Sequence, residues 1–418
     1  MSRRRVVVTG MGVVSPIGNT LPDTLDALRS GRSGIVIMDE WADIGNLRTR
    51  LAGPVLGVER KDYKRKETRT MGRVAILAAN ASDQAIRASG LTREQLGSGR
   101  TGLAYGSSHG SSQELEKHGK SLFERHSLDG LPGSAYLRIM SHTCAVNLAI
   151  RYGVKGRILT TCSACTSSSQ AIGYGFESIK DGYQDVMICG GAEELHFTHA
   201  GVFDILLATS TRFNQQPDQS PRPFDEARDG LVVAEGAATL VLESLEHAQA
   251  RGAPIVAEVL GFGTTCDGEH VTHPRVDGIS EVMRLALADA ELAPSAVQYV
   301  NAHATGTPLG DIAESLAIME VLGPNIPVSS TKGLTGHTLG ACGGIEAIFC
   351  IQMMQESFLA ANRNLKNVDE RCAPLDFIRD SIRQASPNCV MNNTFAFGGI
   401  NTSLILGRPP APLTGNAR

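Results

Sequence analysis

Short runs of β-branched and aliphatic residues alternate along the chain with longer stretches whose apolar positions recur at helical spacing, the pattern of an α/β protein. It predicts strands at 5–9, 102–105, 157–160, 185–189, 238–242, 255–260, 297–301, 328–330, 389–392 and 403–406. Helices are predicted near 71–89, 134–152, 165–180, 278–291, 309–322 and 340–356. The strands read as continuous apolar runs rather than alternations, so they are expected to be buried on both faces and largely parallel. Segment 157–191 has the same plan as 326–358: a short strand, a turn of small residues, then a helix that opens with small residues. Cys165-Thr166-Ser167-Ser168-Ser169 in the first then lies beside Gly336-His337-Thr338-Leu339-Gly340 in the second. Pseudo-symmetric halves would bring Cys165 and His337 to a shared interface. No low-complexity linker divides the chain, and the polar, Pro-containing stretch 215–225 reads as an exposed loop.

Composition narrows the function classes. With 418 residues, 42% hydrophobic and 20% charged, the chain can bury a large core and is not disordered. A net charge of −4 supplies no global basic field for nucleic acid. The longest nearly apolar stretch, 339–354, contains Glu346 and falls short of the ~20 apolar residues of a membrane span. The basic start has the charge of a signal peptide, but Thr9, Gly10 and Gly12 interrupt any apolar core, so it reads as the first strand. Nine Cys without framework spacing point to free thiols, a reducing compartment and a cytoplasmic location. The 45 Gly point to tight turns and close backbone approaches.

Cys165 lies where a buried strand leads into a helix, and unpaired N–H groups with the helix dipole are expected to lower its pKa. The alternative, one small buried hydrophobe among nine, stays open. Cys162 makes a C-x-x-C with it, but there is no second such pair for a zinc site and no thioredoxin-like context. His303 and His337 each follow a strand end and precede a turn, pointing into the crevice where α/β proteins bind ligands. Zinc binding by Cys165, His303 and His337 lacks the short paired ligand spacings. Near the chain end, Phe395-Ala396-Phe397-Gly398-Gly399 suits an oxyanion hole or a gate, or a plain turn with core Phe. Residues 60–73 carry seven Lys and Arg against Asp62 and Glu67, a solvated helical face or a steering patch for an acidic partner.

Together these segments resemble the elongating β-ketoacyl-[acyl-carrier-protein] synthases, classes I and II, of the thiolase-like superfamily. The motifs are Ser163-Ala164-Cys165-Thr166-Ser167, Asn301 to Asp311, Lys332 to Gly340 and the terminal Phe-Gly-Gly loop, and the similarity runs nearly end to end. A Cys-His-His set separates this type from thiolases and from initiating synthases. The resemblance implies a duplicated five-layered α/β/α/β/α fold, with an N-terminal half at 1–252 carrying the nucleophile and a C-terminal half at 253–418 carrying both His. It implies an acyltransferase that condenses a Cys165-bound acyl chain with malonyl-carrier protein by decarboxylation, His303 and His337 stabilising the enolate. Backbone N–H groups of Cys165 and Phe397 form the oxyanion hole, and Phe397 is the gate. Lys332 with Glu346, Glu314 and Asp311 orders the site, Lys332 being either a charged participant or a structural ion-pair partner. Thr305 and Thr307 hold the pantetheine arm, and Lys66 and Arg69 dock acyl carrier protein. No metal or other cofactor is implied, and the usual assembly is a homodimer, a heterodimer with a related subunit being the variant. The family's Gly before the gate Phe is here Ala396, which would stiffen the loop if that position needs positive φ; Cys144, Cys162 and Cys342 are extra small residues near the site. Such departures leave open a pathway-specific ketosynthase for polyene or polyketide chains, or a non-catalytic partner subunit of the chain-length-factor kind.

Overall fold

The structure, a computed structural model, describes residues 3–410. All ten expected strands are present: β1 (Val6–Val14), β2 (Thr101–Gly106), β3 (Ile158–Thr161), β4 (Val186–Glu193), β5 (Gly236–Ser244), β6 (Ala257–Cys266), β7 (Val300–Asn301), β8 (Pro327–Ser329), β9 (Cys389–Ala396) and β10 (Ile400–Gly407). The principal helices are α1 (Arg73–Ser89), α2 (Thr143–Tyr152), α3 (Ser167–Lys180), α4 (Phe197–Ile205), α5 (Val276–Asp289), α6 (Pro308–Leu322) and α7 (Cys342–Glu356). The helix expected across 134–152 breaks into Ala135–Ile139 and α2.

Hydrogen bonding runs through the order β3-β2-β4-β5-β1-β6-β10-β9-β7-β8, with the short edge strand Asp376–Phe377 added beyond β8. Read from its own outer edge, each half has the order third-second-fourth-fifth-first, which establishes the duplication as a topological repeat. Among the described residues, the strands of the two halves join where Val6–Val8 of β1 pair antiparallel with Ala257–Val259 of β6. The expectation of a largely parallel sheet is corrected here: the outer strands β2, β3, β4 on one side and β7, β8, β9 with the edge strand Asp376–Phe377 on the other pair in parallel, and the five pairings through the middle are antiparallel. Burial on both faces misled that inference, because two sheets sharing a central helical layer bury antiparallel strands too. Along β4, Met187 and Cys189 face the centre while Val186 and Ile188 face the outer layer.

Five layers result. α1 and α2 cover one sheet, α5 and α6 cover the other, and α3 and α7 lie between them. From Cys342 to Met354 every residue of α7 is buried, which explains the apolar run that is too short for a membrane. Small residues allow this layer to close: a Cβ on Gly173 would overlap Phe262 of β6, one on Gly175 would overlap Cys189 of β4, and one on Gly343 would overlap Ser169 of α3. The expected exposed loop at 215–225 is corrected for its second half. Ser220 to Asp225 are buried, because Asp225 accepts hydrogen bonds from the backbone N–H groups of Ala227, Lys366 and Asn367 and Phe224 packs on Phe377.

Candidate active site

Each half turns its third strand into its central helix through one 3-10 turn. The first, Ala164–Thr166, begins with φ of +48° at Ala164; the second, Leu339–Ala341, begins with φ of +47° at Leu339. Positive φ is uncommon outside Gly, so its recurrence fixes the register of the repeat. Cys165 is equivalent to Gly340, and His337 stands three positions before that point. Hydroxyls brace the first turn: Ser163 N–H donates to Ser167 Oγ (3.0 Å), Thr166 Oγ1 to Ser163 O (2.7 Å) and Ser167 Oγ to Ala164 O (2.7 Å). The Ser/Thr run after the nucleophile thus serves to hold a strained backbone.

Cys165 is buried, and its Sγ lies 3.0 Å from His337 Nε2. The His303 ring stands edge-on to that of His337, with centroids 5.2 Å apart at 85°. Glu314 holds the His303 turn by accepting the N–H groups of His303 (2.9 Å) and Ala304 (2.7 Å). Asp311 braces the same turn through Gly306 N–H (3.2 Å) and forms a buried ion pair with Arg228 (3.3 Å). Lys332 and Glu346 are buried and paired at 2.5 Å. Thr305 and Thr307 bond through their hydroxyls at 3.1 Å.

Burial sets the protonation states. It drives His303 and His337 well below the usual imidazole range, and the Lys332 charge adds to this, so both rings are neutral. It also pushes Cys165 up to about 12, outweighing Lys332 and the backbone N–H groups of Cys165 and Phe397 that favour the thiolate. The expected lowering at the helix start is real as a contribution but loses to desolvation, and the resting group is a thiol facing a neutral imidazole. Burial opposes the Lys332 charge, yet Glu346 beside it holds the ammonium above its ordinary range. Glu346 is itself pushed up to about 7 by burial.

The Phe397 ring packs on Phe203 of α4 at 5.3 Å. Ala396 ends β9 paired with Ile400, and positive φ falls on Gly398 and Gly399. The condition for Ala396 to stiffen the loop is therefore not met. Of the three extra thiols, Cys342 donates to the Cys165 carbonyl (3.4 Å), Cys162 is exposed against Ser108 O, and Cys144 lies in the outer core around α1.

Lys66 and Arg69 line a cleft of about 940 Å³ with Arg60, Lys61, Arg65 and Arg138. The tract is not the helical face considered above: only a turn at Arg60–Asp62 is regular before α1 begins at Arg73, and Arg73 pairs with Glu235 instead (2.7 Å). Arg138 joins from a distant segment by donating to Arg69 O. Glu193 was also missed; it accepts from Ser107 Oγ, Ser108 N–H and Gly340 N–H, tying the second turn to the end of β2. A carboxylate at a strand end before a second Glu carries no spacing signal that would have revealed it.

The N-terminal domain of the β-ketoacyl synthase family matches residues 3–248, and its C-terminal domain matches 256–366. The chain belongs to the β-ketoacyl synthase family. This synthase is 37% identical over 406 residues to 3-oxoacyl-[acyl-carrier-protein] synthase 1 of Haemophilus influenzae, covering 97% of this chain and 99% of the relative. A crystal structure of a β-ketoacyl synthase from Burkholderia phymatum superposes with a TM-score of 0.94 at 49% identity, covering 97% of this chain and all of that one. The ishigamide ketosynthase/chain length factor superposes with a TM-score of 0.90 at 32% identity, covering 98% and 100%. The synthase thus has the thiolase-like fold expected from its motifs.

Proposed function

We propose a division of labour within a synthase that performs the condensing step of fatty-acid elongation, the bond-forming step of an acyltransferase. The observation that carries it is Cys165 Sγ at a braced helix start, 3.0 Å from His337 Nε2, with the second neutral imidazole against the first. Cys165 attacks the acyl thioester brought by acyl carrier protein. Its proton leaves toward His337 and ends on the departing pantetheine thiol, and the acyl chain stays on sulfur. Malonyl-carrier protein then loses carbon dioxide. Neutral His303 and His337 donate N–H bonds to the enolate oxygen, and its carbon attacks the acyl thioester. The backbone N–H groups of Cys165 and Phe397 receive the tetrahedral oxyanion, whose collapse breaks the carbon–sulfur bond, releases the β-ketoacyl product and leaves the Cys165 thiolate to take up a proton from solvent. Lys332 acts through the Glu346 pair and the field it puts on both rings; Glu314 and Asp311 position the His303 turn. Thr305 and Thr307 hold the pantetheine arm, the Phe397 ring gates the acyl pocket, and Lys66 and Arg69 dock the acidic carrier.

Within this reading the halves divide at 1–252 and 253–418, no metal or cofactor beyond the carrier's phosphopantetheine takes part, and the nine free thiols support a cytoplasmic setting. No helix among the described residues is long and apolar enough to cross a membrane. The outer edge of β3, with Ile158 39% exposed, is an unpaired strand edge that supports a two-fold dimer. A second reading, elongation of polyene or polyketide chains beside a chain-length-factor subunit, is favoured by the likeness to the ishigamide complex. Incubation with malonyl-carrier protein and a panel of saturated and polyunsaturated acyl-carrier proteins separates the readings, by carbon dioxide release and product mass. Extension of saturated primers, lost in Cys165→Ala, supports fatty-acid elongation. Activity confined to unsaturated primers or to a mixed dimer favours the second reading, and no acyl adduct on Cys165 with any primer overturns both.

A further inference from the structure

We propose that His303, Cys342 and Glu346 form a binding site for a thiophilic divalent cation of the zinc class, whose occupancy shuts the condensing centre. One ligand atom from each lies within 4.8 Å of the other two, and all three residues are buried. His303 Nδ1 and Glu346 Oε2 have no hydrogen-bond partner, and the Cys342 thiol reaches only a carbonyl oxygen. Two side chains of the cluster thus each leave a buried polar atom without a partner, which is costly in an apolar interior, and a cation held by the cluster would supply one. Cys342 and Glu346 are one helical turn apart on α7 and present a single face, while His303 arrives from the turn after β7. Two segments far apart in the chain supply the donors, the helix at 342–346 and the turn at 303, so a second sequence-local ligand pair is not required.

The donor set of one imidazole nitrogen, one thiolate and one carboxylate oxygen suits zinc over magnesium or calcium, which take oxygen. Zinc bonds of about 2.0–2.3 Å place ligand atoms roughly 3.3–3.8 Å apart, so donors that lie within 4.8 Å of one another need to close by no more than about 1–1.5 Å on binding. The Glu346 carboxylate and the new thiolate together balance the two charges of the dication. Glu346 keeps Oε1 on Lys332 and gives Oε2 to the metal. Binding replaces the Cys342 S–H bond with a metal–sulfur bond and releases one proton to solvent. Binding itself is independent of the reaction. Its inhibitory effect rests on the condensing role, since closure of the donors onto the metal draws the His303 ring away from the place where it serves the enolate.

Cobalt(II), a spectroscopic stand-in for zinc, tests this on the full chain. The wild type should take up one ion with a thiolate-to-metal charge-transfer band, displaced by zinc. Cys342→Ser and Cys342→Ala should lose the band and bind at least about tenfold more weakly, while Cys165→Ser keeps both. Both Cys342 variants should condense at the wild-type rate without metal, which also reports that they fold, and should resist zinc at concentrations that stop the wild type. No binding by the wild type, or a band lost in Cys165→Ser and kept in the Cys342 variants, overturns the site. Metal bound with an unchanged rate overturns the inhibition alone. A chain that binds cobalt as stated and condenses nothing leaves the site standing and fails the condensing role.

Discussion

At Glu346, burial raises a carboxyl that must be ionised to neutralise Lys332. The direction is fixed: as pH falls through about 7 the carboxylate takes a proton and Lys332 is left as an unpaired buried ammonium beside two imidazoles. The rate of malonyl decarboxylation should therefore fall on the acid side with a midpoint near 7, and Glu346→Gln should lower the rate and remove that limb. A pH–rate profile of the two proteins checks it. Individual site residues were legible because their chemistry is local: Cys165, His303 and His337 each sit in a turn of small residues whose motif reads from sequence. What was not legible is environment. The thiol's upward shift comes from burial, and Glu193 reaches the second turn, as Arg138 reaches the basic cleft, from segments that carry no motif.

At the scale of elements, the central layer depends on close approach. Gly175→Val should force apart α3 and β4 and destabilise the protein by about 3 kcal/mol or prevent folding, read by urea unfolding. Gly201, inside α4 with nothing within 4 Å of where its Cβ would stand, should do the reverse: Gly201→Ala should add about 0.5–1 kcal/mol. Long elements were well marked in the sequence, since all ten strands and the helices with sustained period are present. Leu21–Ser30 was overlooked although Thr20 caps it, Pro22 lies in its first turn and Gly31 ends it, all readable signals. Ser112–Arg125 has Ser111 and Glu114 at its start but ends on His126 rather than Gly, and α4 has apolar residues all round. Strand direction escaped altogether, because a strand covered on both faces has the same composition whichever way its neighbours run.

For the whole molecule, one cation ties distant segments together. Arg228 pairs with Asp311 of α6 and with Asp369 (2.7 Å), all three buried. Removing it leaves the Asp311 carboxylate buried without its cation, while Asp369 keeps Arg371 (2.7 Å), and Arg228→Ala should cost about 3–5 kcal/mol in chemical denaturation. The basic cleft acts at the same scale through long-range attraction. Lys66→Glu with Arg69→Glu should raise KM for carrier-linked substrate about tenfold or more and weaken its salt dependence, while leaving turnover of a short pantetheine thioester unchanged. The matching turns at Ala164 and Leu339 bear on the history of the fold. Two identical half-length chains joined by a two-fold axis must carry every side chain twice, so a nucleophile at one turn entails a nucleophile at the other. A continuous chain escapes that rule, and here Gly340 occupies the second position while His337, three residues earlier, reaches across to serve the first. Linking the halves thus made division of labour between former equals available to selection, and a symmetric pair could never have acquired it.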